Sequence, residues 1–63
     1  MTEKRREILA RLRELEDMKV LLEEARDYAR SFGGTDGERI EAEIKTTLRE
    51  INKLAGDLRA FLP

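Results

Sequence analysis

The sequence predicts an all-α fold, an antiparallel two-helix hairpin that dimerises into a four-helix bundle. Three observations lead there. Apolar residues recur at spacings of three and four along two long stretches, the period of one face of an α-helix. No Pro or Gly interrupts the first stretch before Gly33. The break itself is short, and a short break between two long helices folds them back on each other.

The first helix is expected over about residues 3–32, the loop over 33–35 and the second helix over 36–62. Thr2 is placed to cap the first helix, with Glu3 in the turn where the helix dipole favours an anion. Ile8, Leu12 and Leu15 open its apolar seam. Strict continuation would put Lys19 and Arg26 on that seam, whereas apolar residues continue as Met18, Leu22, Ala25, Ala29 and Phe32. The contacting face is therefore expected to rotate near Met18. Lys19 and Arg26 would then lie at the edge, with their stems on the core and their charges in water.

Ser31-Phe32-Gly33-Gly34 ends the first helix, with Gly33 as its left-handed terminal residue. Thr35 and Glu38 have the spacing of a capping box. The run Gly33 to Glu38 lacks both the Lys-Ser/Thr of a phosphate loop and the spaced acids of a calcium loop. The second helix carries the longest seam: Ile40, Ile44, Thr47, Ile51, Leu54, Leu58 and Phe61, widened on one side by Leu48, Ala55 and Leu62, with Pro63 closing the chain. Gly56 faces outward in its interior. Glu7–Arg11 and Glu41–Lys45 are spaced for favourable pairs along one helix.

With equal rise in both helices, residues whose numbers sum to roughly 69–70 should face each other. That sets Ala29 on Ile40, Ala25 on Ile44, Leu22 on Leu48, Leu15 on Leu54 or Ala55, Leu12 on Leu58, and Ile8 on Phe61 or Leu62. Two helices enclose no core. Leu21 and Tyr28 on the first helix, and Leu48, Ala55 and Leu62 on the second, are left as flanking ridges for self-association. A two-fold pair of hairpins is the simplest way to cover them.

Composition excludes much. The chain of 63 residues has neither Cys nor His, so thiolate metal sites, disulfides and the commonest general base are missing. No catalytic residue, metal ligand or cofactor is assigned. Charged residues make up 43% and apolar ones 40%, a balance typical of long helices. The net charge of −1 supplies no global field for nucleic acid or an anionic membrane. No apolar run is long enough to span a bilayer and no leader pattern stands at the N-terminus, so cytoplasmic residence is the expectation.

The function expected is a non-enzymatic interaction module: a hairpin that pairs with itself or a partner helix, as an adaptor, a regulator or a designed scaffold. The alternative is nucleic-acid binding through Lys4, Arg5, Arg6, Arg11 and Arg13, in a chain where Arg outnumbers Lys nine to four. In length and helix-loop-helix layout the chain is similar to the Rop family of small RNA-binding hairpin dimers. The resemblance implies RNA as a partner for that alternative, and it assigns no residue.

Overall fold

The computed structural model describes residues 2–62, and side chains from 3 onward. Helix α1 spans Thr2–Phe32 and helix α2 spans Gly34–Arg59, packed against each other as a hairpin with no strand among the described residues. Met1 and Pro63 lie outside that description, as does the side chain of Thr2 at its expected cap.

The break is tighter than the sequence suggests. Only Gly33 separates the helices. Both Gly33 and Gly34 have φ of +69°, a region that costs an L-residue roughly 1–2 kcal/mol and glycine nothing. The expected capping box at Thr35 and Glu38 is not formed. The residue preceding α2 is Gly33, and no side chain caps that terminus. The left-handed Gly33 that ends α1 is as expected. At the other end α2 stops at Arg59. Phe61 and Leu62 then donate to the carbonyls of Leu58 and Arg59, three residues back, the tighter winding with which helices often finish.

The seam of α1 does not step sideways. Its buried and half-buried residues include Ile8, Leu12, Leu15, Lys19, Leu22, Arg26 and Ala29, an unbroken alternation of four and three. Met18 is 49% exposed and Ala25 is exposed. Lys19 and Arg26 therefore occupy the seam itself. The Arg26 side chain is 28% exposed, yet its Nε is buried without a hydrogen-bond partner. Its nearest anion among the described residues is Asp27, at 3.9 Å, and its charge also reaches the Glu41 carboxyl across the hairpin. Keeping one unbroken face on α2 across the whole helix outweighs the cost of laying these two long stems into it.

On α2 the same alternation runs through Gly37, Glu41, Ile44, Leu48, Ile51, Ala55, Leu58 and Leu62. This seam shares Ile44, Ile51 and Leu58 with the expected one and exchanges the rest. Leu48 and Ala55 are buried between the helices, at 9% and 8%. Ile40, Leu54 and Phe61 are instead exposed. Two contacts set the register near the loop. Gly37 packs on the backbone of Ala29, and the Arg30 guanidinium donates from both Nε and Nη2 to Glu41 Oε1, at 3.1 and 2.7 Å. Equal rise from there keeps numbers summing to about 70 at one level. Leu22 is then level with Leu48, Leu15 with Ala55, Leu12 with Leu58 and Ile8 with Leu62. Ala25 and Ile40 are exposed, so the expected pairs Ala29–Ile40 and Ala25–Ile44 do not form the core.

Candidate protein-interaction surface

Each seam has two flanks. In an antiparallel pair, reversing one helix brings the residues just before each a position of both helices to the same side. On α1 these are Lys4, Arg11, Met18, Ala25 and Phe32. On α2 they are Ile40, Thr47, Leu54 and Phe61. Next outward on α1 come Leu21 and Tyr28, and on α2 Glu43, Glu50 and Asp57. The hairpin thus carries, on one side, a stripe that is apolar from about the level of Leu54 up to the loop.

Six of the nine large apolar side chains exposed among the described residues belong to this stripe: Met18, Leu21, Tyr28, Phe32, Ile40 and Leu54; Phe61 lies beyond its lower end. Phe32 and Phe61 are 70% and 74% exposed. The Tyr28 and Phe32 rings stack edge to face with centroids 4.9 Å apart, a geometry that extends the apolar surface as one unit. Thr47 interrupts the stripe chemically but not electrostatically, because its hydroxyl donates to the Glu43 carbonyl at 3.0 Å. Leu9 and Val20 are exposed on other faces of α1, and scattered residues of this kind are ordinary.

The opposite side of the hairpin is polar apart from Leu9. Glu16, Glu23 and Arg30 on α1 lie beside Glu38, Lys45, Asn52 and Arg59 on α2. Glu41 sits at the edge of the seam here rather than on the outer face. Its pairing is across the helices with Arg30, not along α2 with Lys45. The hydrogen bond from Arg30 holds the Glu41 carboxyl below its usual range, partial burial opposes this, and the Arg30, Lys45 and Arg26 charges add to the lowering. The same contact raises the Arg30 guanidinium.

Of the five residues read as a self-association surface, Leu21 and Tyr28 are exposed on the apolar flank. Leu48 and Ala55 are consumed by the hairpin, and Leu62 is half-buried at the end of its seam. The ridge left exposed on α2 is the neighbouring one, Ile40, Thr47, Leu54 and Phe61, which sequence reasoning had placed inside. Both ridges were visible as repeats of seven. Nothing in the sequence ranked one above the other.

The basic residues do not form a single patch. Lys4 and Arg11 lie on the lower part of the apolar flank, Arg6 and Arg13 on the outer face of α1, and Arg5 at the end of the seam. All five are exposed. Arg11 donates to Glu14 at 2.8 Å, so the expected Glu7–Arg11 pair gives way to a pair with Glu14. A shallow groove lined by Arg6, Leu9, Ala10, Arg13, Glu14 and Asp17 is formed by α1 alone and has no opposing wall. The described residues contain no cluster of three acidic side chains suited to a metal ion. No described helix is long and apolar enough to cross a membrane.

Compared with protein families, characterised proteins and solved structures, the chain matches none of them.

Proposed function

We propose that the chain is a non-catalytic interaction module that associates with a second copy of itself, closing a four-helix bundle over the flank of Met18, Leu21, Tyr28, Phe32, Ile40, Leu54 and Phe61. The observation that carries this reading is the concentration of exposed apolar side chains on one flank while the other is charged. A continuous patch of this kind marks an interface, and fully burying each large apolar side chain is worth about 1.5–3 kcal/mol. A two-fold axis through the flank covers both copies at once and leaves no unmatched patch.

Sedimentation equilibrium over a range of concentrations tests this. A dimeric mass is expected for the parent and a monomeric, still helical chain for Leu54→Glu. A parent that stays monomeric throughout, or a Leu54→Glu variant with unchanged dimer mass, overturns the reading.

One observation favours a second reading. Lys4, Arg5 and Arg6 sit in the first turns of α1, where the helix dipole disfavours cations, and the described residues supply them no ion pair. An anionic partner such as RNA would repay that placement. Titration of a short RNA at low salt, with Arg5→Glu/Arg6→Glu as control, tests it. Equal binding by parent and variant, or none by either, removes it.

A further inference from the structure

We infer that the two hairpins of this bundle lie with their loops at the same end, α1 of one copy against α2 of the other. The inference rests on the self-association proposed above and decides between the two ways in which a two-fold axis can bury the flank. An axis along the helices keeps every residue at its own level and sets α1 on α2 of the second copy. An axis across the helices inverts the levels and sets α1 on α1 and α2 on α2, with the loops at opposite ends.

The register of the hairpin separates the two. Read from the loop downward, α1 presents Phe32, Ala25 and Met18 on the flank, and α2 presents Ile40, Thr47 and Leu54. Each pair is offset by about two residues, or ~3 Å of helix rise. The size order is the same on both helices: large, small, large. With the loops together, Phe32 meets Ile40 of the second copy, Ala25 meets Thr47 and Met18 meets Leu54, so small residues fall opposite each other where the helices approach most closely.

The inverted arrangement loses this match on α1. The acidic edge of α2 (Glu43, Glu50 and Asp57, all exposed) would lie along the same edge of the second copy. Like charges set against each other across an interface are costly. With the helices fully overlapped, Met18 to Phe32 would also be laid on Lys4, Arg11 and Glu14, burying charge against apolar surface. The arrangement with loops together carries two costs: Leu21 and Tyr28 lie along the acidic edge of α2 of the second copy, at the rim where those carboxylates keep their water, and the two basic N-terminal ends approach each other. Those lie across the diagonal of the bundle, about 11–14 Å apart for neighbouring axes at 8–10 Å, and salt at 0.1 M screens beyond about 10 Å.

The described residues include no cysteine, and none stands at either terminus, so a single introduced thiol can carry a spin label at a defined place. Glu3→Cys and Thr35→Cys, prepared and labelled separately, report on the two ends of the hairpin by double electron–electron resonance. With the loops together, both variants give a label-to-label distance of about 20–30 Å, two to three helix diameters. A distance at either site close to the 50 Å length of the hairpin, with a dimeric mass, overturns the orientation and leaves self-association standing. A monomeric mass with no dipolar signal overturns both.

Discussion

Gly37 lies against the carbonyl oxygen of Ala29, so closely that a Cβ on Gly37 would sit 2.7 Å from it. The obstacle is backbone and cannot rotate away. This contact lets α2 leave a one-residue break and run directly alongside α1. Gly37 is also the buried residue nearest the loop on α2.

Gly37→Ala is therefore expected to destabilise the hairpin. Forcing a methyl into a packed backbone contact costs about 1–3 kcal/mol, more than the ~1 kcal/mol that Ala gains over Gly inside a helix. Gly56→Ala is the matched control: a Cβ there meets nothing within 4 Å, so only the propensity gain applies and stability rises by about 1 kcal/mol. Urea denaturation of both variants reads the difference. A stabilised Gly37→Ala would mean that the helices do not approach this closely.

Arg26→Met is expected to raise the melting temperature. Arg26 places a buried, unpartnered Nε in the seam, and a buried donor left without a partner costs about 1–3 kcal/mol. Methionine keeps the stem and its packing while removing the donor. A gain of about 1 kcal/mol shifts the midpoint by roughly 4–8 °C in a chain of this size. A lowered midpoint would show that the guanidinium stabilises the seam.

Leu48→Ala and Leu54→Ala should part company although both residues flank the same row of Ile44, Ile51 and Leu58. Leu48 is buried inside the hairpin, and its truncation costs about 2–5 kcal/mol in folding at any protein concentration. Leu54, at 48% exposed, stands on the flank, and its truncation is expected to act mainly on association and to fade on dilution. Thermal melts at two concentrations distinguish these. Equal, concentration-independent losses would place both residues in one core.

Acid is expected to weaken the loop end first. Arg30 holds the folded-state Glu41 carboxyl below its ordinary value of 4.5. A carboxyl depressed on folding stabilises the fold at pH values above its unfolded pKa, and that contribution is lost as pH falls below 4.5 through the lower folded value. Arg30 is exposed, so the effect is small. Comparing the parent with Glu41→Gln, the parent's advantage should be present near neutrality and shrink as the pH falls below 4.5. An advantage that persists in acid would show that Glu41 acts by packing.

The sequence by itself determined that there are two helices, where they break and how they are aligned. Those properties follow from local chemistry: an uninterrupted apolar period of 3.6, two glycines tolerant of positive φ, and equal rise on either side of the turn. That alignment already set Leu22 opposite Leu48 and Leu12 opposite Leu58. Only the tertiary structure decided which apolar ridge of α2 faces inward. Ile44, Ile51 and Leu58 are flanked on one side by Leu48, Ala55 and Leu62 and on the other by Ile40, Thr47, Leu54 and Phe61. Either set completes a seam of fours and threes. What separates them is a rotation of α2 by a fraction of a turn, set by where Gly37 can touch Ala29 and where Glu41 can reach Arg30. On α1 the seam runs straight through Lys19 and Arg26, which leaves Met18 facing outward. A repeat in one chain records how many apolar faces a helix has, and only a packed partner decides which of them is already occupied.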